Sequence, residues 1–392
     1  MPIHLDIANS LPADRTAATL VGRAWLPGPA SGPTPIAVRG DEVVDLGPVV
    51  ATASELLQRD DAVAVARQAS AASVGPIAAL LANSVEEKRD PSHPYLLAPC
   101  DLQVLKAAGV TFAASLVERL IEERAKGDAA AAEQVRDRLT AMIGHDLSKV
   151  VPGSDAAARL KTVLTEQGLW SQYLEVGIGP DAEIFTKAQP MSAVGPGAGI
   201  GLHPASVWNN PEPEVVLVVS SRGAILGATL GNDVNLRDFE GRSALLLGKS
   251  KDNNASCALG PFIRLFDRTF TLDDVRASTV SLKVEGEDGF TLTGESSMRL
   301  ISRDPTELVA QTIGAAHQYP DGFVLFCGTM FAPTKDRGEK GQGFTHKRGD
   351  IVTISSPKLG ALVNRVDSSD RLPRWEFGTR ALMRHLARRG VL

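Results

Sequence analysis

Two glutamates, one residue apart, stand at the head of an apolar run in NNPEPEVVLVV. Because alternate side chains of a strand point to the same face, Glu212 and Glu214 are predicted to project together. Such a pair is usually an exposed polar face. Here Asp233, at the end of the next predicted strand, can supply a third oxygen. Three carboxylates without a thiolate or a histidine pair favour a hard divalent cation, Mg²⁺ or else Mn²⁺.

Two lysines near these acids lie beside apolar residues. Lys187 occurs in EIFTKA and Lys249 in LLLGKSKDNN. An ammonium group in such surroundings can serve a binding site. It can equally belong to a lysine whose stem lies on apolar surface while its charge reaches water. Both interpretations stay open for each lysine.

Several familiar catalytic motifs are missing from the sequence. The run SALLLGKS ends like a phosphate-binding loop but has Ser243 where that motif has glycine. The glycines of VGPGAGIGLHP recur at alternate positions and miss the dinucleotide fingerprint. The histidines show no metal-binding spacing, and no GxSxG nucleophile motif occurs. We therefore expect neither a nucleotide site, a zinc site nor a serine hydrolase.

The elements that must position these residues change along the chain. Residues 1–95 mix short β-rich runs with a helix, which predicts a small N-terminal α/β domain. Residues 96–392 form the predicted catalytic domain, with a helical insertion over 113–168 and a β-rich metal-binding core over 172–366. Because strands and helices do not alternate regularly, we expect an α+β fold and no doubly wound parallel sheet.

Composition narrows the classes of partner and compartment. The 392 residues carry 41 basic and 46 acidic side chains without a basic block, so we expect no nucleic acid or membrane partner. Three widely spaced cysteines suit a reducing compartment. No signal-peptide pattern and no stretch of about 18 apolar residues occurs. We expect a cytoplasmic protein.

The order of the motifs resembles the fumarylacetoacetate hydrolase family. The resemblance covers about residues 172–366 and comprises IFTKAQ, PEPEVVLVV, GNDVNLRD, LLGKS with CALGPFI, GTMFAPT and GDIVTISSPKLGALVNRV. It implies a mixed β-roll catalytic domain that binds Mg²⁺ or another divalent ion through Glu212, Glu214 and Asp233. It also implies a small 2-keto acid as substrate and a homo-oligomer, dimer or tetramer.

The same resemblance implies roles for further residues. Lys249 matches the family's KSF-type lysine, and Thr329 matches the threonine of its GT dipeptide near the substrate. Lys187 matches the lysine of its F-x-K segment and is expected to bind substrate. Arg237, in the RD that follows Asp233, is expected to hold either substrate or a subunit contact.

One departure from the family pattern bears on the reaction. Family hydrolases usually carry NYxxHxxE, whose histidine activates water, whereas this chain reads TFAASLVE with Ser115 at that position and Glu118 retained. A serine hydroxyl cannot act unaided as a general base near neutral pH. This disfavours hydrolysis, although His145 could replace the missing histidine. Ser115, Glu118 and Glu122 share one helical stripe, either a lid over the site or a solvated face, and Ser115 is expected to bind substrate.

Within the family, the chain resembles the members that dehydrate 2-keto-3-deoxy-pentonates, in which Glu183 corresponds to a catalytic glutamate. We therefore expect Mg²⁺-dependent loss of water, most specifically from 2-keto-3-deoxy-D-xylonate, to give 2-oxoglutarate semialdehyde. Glu183 and Lys249 would share the roles of base at C3 and acid at the C4 hydroxyl, and Thr329 would orient the substrate. The alternatives are a diketo acid hydrolase and a catalytically silent ligand-binding member.

Overall fold

The structure is a computed structural model of the chain. It describes residues 2–126, 128, 131–132, 147–166, 168–331, 333, 335–338 and 343–392. His145 and most of the alanine-rich part of the predicted helical insertion lie outside the described residues.

The strands, numbered in chain order, are β1 (Leu20–Leu26), β2 (Gly32–Arg39), β3 (Glu42–Asp45), β4 (Ser73–Pro76), β5 (Tyr95–Leu96), β6 (Val104–Gly109), β7 (Glu183–Ala188), β8 (Gly199–Leu202), β9 (Asn209–Asn210), β10 (Pro213–Val219), β11 (Ile225–Asp233), β12 (Asn235–Leu236), β13 (Cys257–Leu265), β14 (Thr279–Glu285), β15 (Thr291–Ser297), β16 (Phe323–Phe326), β17 (Ile351–Ser356) and β18 (Gly360–Ser368). The described α-helices are α1 (Ile7–Ser10), α2 (Ala53–Gln58), α3 (Ala62–Gln68), α4 (Ile77–Asn83), α5 (Ala113–Arg124), α6 (Asp155–Glu166), α7 (Gln172–Ile178), α8 (Arg237–Glu240), α9 (Leu247–Lys251), α10 (Leu272–Ala277), α11 (Pro305–Thr312) and α12 (Thr379–Arg389).

The strands form two large mixed sheets. An eleven-stranded sheet runs in the order β4-β3-β2-β1-β13-β11-β10-β16-β6-β7, with β5 paired to β1. A five-stranded sheet runs β15-β14-β17-β18-β8, and β9 and β12 make a short pair. Most neighbours are antiparallel, whereas β16 with β6 and β18 with β8 are parallel. The expected α+β fold is confirmed.

The first strands of the chain belong to the same sheet as the catalytic strands. In β1, Leu20 and Val21 pair with Arg264 and Ile263 of β13. Backbone hydrogen bonds thus join residues on the two sides of position 95. The division of the chain into two domains at residue 95 stays a prediction.

The apolar run of β10 is explained by burial on both faces. Leu217 and Val219 join the core between the two large sheets, whereas Val216 and Val218 join the core that includes α2 and α3. A strand covered on both sides has no polar face, so its sequence reads as continuous hydrophobic residues. Glu214 shares a face with Val216 and Val218, and the polar site therefore begins where this second core ends. Among the described residues, no helix is long and apolar enough to cross a membrane.

Candidate active site

The three predicted acids meet at the open end of the β10–β11 hairpin. The register pairs Pro213 with Asn232, which brings Glu212 opposite Asp233, and the Asp233 amide donates to the Glu212 carbonyl at 3.1 Å. One carboxylate oxygen from each of Glu212, Glu214 and Asp233 lies within 4.8 Å of the others. All three side chains are buried. The structure thus brings together the residues that the sequence pattern selected.

Two buried lysines contact this carboxylate cluster. The Lys251 Nζ donates to Glu212 at 2.6 Å and to Asp233 at 3.0 Å. The Lys187 Nζ lies 3.0 Å from the other Asp233 oxygen and donates to the backbone carbonyl of Val234. Lys187 is fully buried behind Asp233 and does not line the cavity described below. Its expected contact with substrate is therefore replaced by a contact with a carboxylate of the cluster.

Lys249 does not reach the carboxylates, contrary to the prediction. Its side chain is exposed, and its Nζ lies 5.2 Å from the centroid of the Phe239 ring. Residues two apart on a helix are separated by about 200° around its axis, so only one of the two lysines of α9 can face the cluster. That lysine is Lys251.

Helix α5 forms a charged wall beside the cluster. Arg119 donates to Glu122 and to Glu212, both at 2.6 Å, and lies 3.0 Å from Glu240. Arg237 donates to Glu122 at 2.6 Å and to Glu118 at 3.1 Å. These ion pairs connect α5 to α8 and to Glu212, which directly precedes β10.

A cavity of about 550 Å³, its open mouth included, connects these groups. Seven carboxylates and three cationic side chains line it. The charged lining residues are Glu118, Arg119, Glu122, Glu183, Glu212, Glu214, Asp233, Arg237, Glu240 and Lys251, and the others include Gly109, Ser115, Phe185, Asn210, Asn235, Gly328, Thr329 and Phe331. The predicted stripe of Ser115, Glu118 and Glu122 thus faces the site. No histidine lines this cavity in the part of the chain that the structure describes.

Burial and mutual repulsion shift the pKa values of the cluster. Burial first, and then the charges of Asp233 and Glu212, raise the pKa of Glu214 well above its ordinary value. Burial also acts on Asp233, but Lys187 and Lys251 outweigh it and lower the pKa of that carboxyl. The three acids are therefore not fully neutralised by the lysines.

This donor set fits a hard divalent cation. The acids supply only oxygen ligands, which Mg²⁺ and Mn²⁺ prefer. The negative charge in the cavity exceeds the positive charge. Burial and the neighbouring carboxylates raise the pKa of Glu214, and a cation bound beside it would favour its ionised form.

The cavity is also lined by three other predicted residues, and each of them makes different contacts. Glu183 begins β7 opposite Gly109, where a Cβ would collide with its carboxylate, and burial raises its pKa. The Thr329 Oγ1 accepts from the Phe331 amide at 3.1 Å, which leaves its proton for another partner. The Ser115 hydroxyl donates to a backbone carbonyl of the preceding turn at 2.9 Å.

The guanidinium of Arg237 is largely occupied by its own chain. Besides the two glutamates of α5, it donates to the backbone carbonyl of Pro333 and lies with its Cζ 4.3 Å from the Trp208 ring centroid. In this arrangement Arg237 positions the wall of the cavity.

Sequence reasoning missed several residues of the site. Arg119 lies four residues after Ser115, so the helical stripe that selected Ser115 and Glu122 also contained it. Glu240 and the amides of Asn210 and Asn235 carried no motif. Burial raises the pKa of Glu240 to about 7.

Comparisons with known proteins agree with this architecture. Saccharolobus solfataricus 2-dehydro-3-deoxy-D-arabinonate dehydratase is 34% identical over 187 residues, which are 47% of this chain and 58% of that protein. A Haloferax volcanii protein named as a probable 2-keto-3-deoxyxylonate dehydratase is 30% identical over 201 residues, 51% of this chain and 65% of that one. The alignments thus span less than two thirds of these relatives.

A solved structure has the same fold. It is a 2-keto-3-deoxy-D-arabinonate dehydratase complexed with magnesium and 2,5-dioxopentanoate, with a TM-score of 0.60 and 21% identity, covering 89% of this chain and 99% of that one. The family model for the C-terminal region of fumarylacetoacetate hydrolase matches residues 165–367, slightly more than half of the chain. The chain therefore belongs to the fumarylacetoacetate hydrolase family.

Proposed function

We propose that this protein is a Mg²⁺-dependent dehydratase that converts a 2-keto-3-deoxy-pentonate, in particular 2-keto-3-deoxy-D-xylonate, to 2-oxoglutarate semialdehyde. The observation that carries the proposal is one cavity that joins a carboxylate triad, Lys251 and Glu183 without a histidine among its described lining residues. Two relatives bear the names of dehydratases of such acids, and a protein of the same fold was solved with magnesium and 2,5-dioxopentanoate.

The reaction removes one water and keeps the carbon chain intact. A proton leaves C3 and the C4 hydroxyl departs with a proton from the site, which gives a C3–C4 double bond. A proton then leaves C5 and one returns to C3, and the resulting C5 enol becomes the aldehyde. When bound, a divalent ion at Glu212, Glu214 and Asp233 supplies a Lewis acid that makes the C3 proton more acidic.

The chain's own groups can perform the proton transfers. Glu183 is the proposed proton carrier, since its carboxylate lines the cavity and burial raises its pKa. Two donors of the Lys251 ammonium are held by carboxylates, which leaves the third for an oxygen of the substrate. The hydroxyl proton of Thr329, which has no acceptor among the described residues, can bind the substrate carboxylate. Lys187 positions Asp233 from behind.

Hydrolysis of a diketo acid is supported less well by the same cavity. That reaction needs an activated water, and the Ser115 hydroxyl donates to a backbone carbonyl instead of facing a base. Retention of the triad and a buried lysine likewise disfavours a catalytically silent member.

Product analysis tests the proposal. Purified protein with Mg²⁺ is incubated with a panel of 2-keto-3-deoxy sugar acids, and products are identified by mass spectrometry. A semialdehyde one water lighter than its substrate is expected, and chelation should abolish its formation. Two shorter acids would mean hydrolysis, and an unchanged panel would favour the silent member. The predicted homo-oligomer, dimer or tetramer, is measured by light scattering of the same preparation.

A further inference from the structure

Two buried asparagines face each other beside the carboxylate triad. Asn210 in β9 pairs directly with Asn235 in β12. Asn210 lies two residues before Glu212, and Asn235 lies two residues after Asp233. Both asparagines line the cavity, and they are only 3% and 0% exposed. The amides therefore extend the polar surface of the site away from the carboxylates.

Each amide is held at one atom and lacks a partner at the other. The Asn210 Nδ2 donates to the Pro211 carbonyl at 3.0 Å, whereas its Oδ1 has no hydrogen-bond partner among the described residues. The Asn235 Oδ1 accepts from the Ser250 hydroxyl at 3.2 Å, whereas its Nδ2 has no partner in the same part of the chain. Because buried amide atoms are nearly always paired in native proteins, the two free atoms indicate a ligand.

The free atoms are one acceptor and one donor. A hydroxyl group matches this pair, since it donates one hydrogen bond and accepts others. A carboxylate or keto oxygen only accepts and would leave the Asn210 oxygen facing lone pairs. A hydroxyl can therefore satisfy both amides, whereas a carboxylate or keto oxygen can satisfy only the Asn235 donor.

We propose that Asn210 and Asn235 bind the C5 hydroxyl of the 2-keto-3-deoxy-pentonate and make the enzyme specific for hydroxylated 2-keto acids. This inference rests on the proposed function. The keto acid end belongs at the triad and the C4 hydroxyl is lost, so C5 carries the hydroxyl that remains. In the product the same oxygen is an aldehyde, which cannot donate, and Asn210 loses its partner. The pair thus binds substrate more tightly than product.

The experiment compares two acids that differ only at C5. They are 2-keto-3-deoxy-D-xylonate and 4-hydroxy-2-oxopentanoate of the same configuration at C4, and water loss from each is followed by mass spectrometry. We expect wild-type kcat/KM to favour the first acid by at least about 100-fold, because buried polar groups are left unpaired by the second. In Asn210→Leu and Asn235→Leu the preference should fall below about tenfold, mainly through slower turnover of the first acid.

Asn232→Leu is the matched control. Asn232 is also buried with an unpartnered Nδ2, but it does not line the cavity. Its loss should change both rates in the same proportion. Calorimetric titration with Mg²⁺ should give affinities within about threefold of wild type for the Asn210 and Asn235 variants, since neither belongs to the proposed ligand set.

The outcomes separate this inference from the function on which it rests. Equal wild-type turnover of both acids would overturn the hydroxyl site and leave the dehydratase standing, and this comparison needs no variant to fold. If the variants lost kcat/KM equally on both acids and bound Mg²⁺ more weakly, the hydroxyl site would also be overturned. The amides would then hydrogen-bond to water molecules bound to the ion. If neither acid loses water, the proposed dehydration itself fails and the inference fails with it.

Discussion

Replacing Lys251 by methionine tests the correction from Lys249 to Lys251. The side chain is 3% exposed, and its ammonium contacts Glu212 at 2.6 Å and Asp233 at 3.0 Å. Removing one partner of a buried ion pair costs about 3–5 kcal/mol, because the remaining charge is left unpaired. Lys249→Met removes only an exposed ammonium near the Phe239 ring, a contact of about 0.5–1 kcal/mol.

Three measurements distinguish the two lysine variants. Lys251→Met should unfold at lower urea concentration without Mg²⁺ and lose at least about 100-fold in kcat/KM, some 2.7 kcal/mol of transition-state stabilisation. It should also bind Mg²⁺ more tightly by calorimetry, since the ammonium competes for the same carboxylates. Lys249→Met should stay within about threefold of wild type in kcat/KM. A large loss in Lys249→Met with near-normal Lys251→Met would refute the geometry.

Three other predictions follow from single contacts. Glu212→Gln should abolish Mg²⁺ binding measured by calorimetry together with activity, and retained binding would remove Glu212 from the ligand set. Ser115→Ala should keep at least about a third of the dehydration rate, because its hydroxyl donates to a backbone carbonyl in the described part of the chain; complete loss in a folded variant would contradict this. Chiefly through hydrogen bonding from Arg264, the pKa of Asp14 is lowered to about 2. Its stabilising effect is present above its unfolded pKa near 4 and is lost as the pH falls to about 2. Asp14→Asn should therefore lower the free energy of unfolding at pH 7. The difference between the variant and wild-type free energies, measured by urea unfolding, should become smaller between pH 4 and pH 2.

The metal triad could be predicted from sequence because its geometry is local. Glu212 and Glu214 are fixed by strand alternation, and Asp233 by the antiparallel hairpin that joins β10 to β11. Both rules act over short distances in the chain. The α+β class followed likewise from strand runs that do not alternate with helices.

The choice between Lys249 and Lys251 could not be made in that way. Both lysines lie in one short helix, and only its rotation against β7 and β12 decides which of them is buried. The asparagine pair could not be predicted from the sequence for a related reason. Asn210 and Asn235 are 25 positions apart and become partners only through the tertiary pairing of β9 with β12. Local periodicity gives no information about either arrangement.

The departure at Ser115 can be interpreted together with Arg119, which lies four residues later on the same helix. Arg119 supplies the positive charge of α5 nearest to the triad, in contact with Glu212. A guanidinium stays protonated at any physiological pH, so it stabilises negative charge but cannot take a proton from water. Glu183 faces the same cavity with a pKa raised by burial. A site with fixed cations and carboxylates whose pKa values are raised by burial, Glu183 among them, can move a proton from carbon to a departing hydroxyl. Among its described lining residues it has no histidine to activate water for hydrolysis.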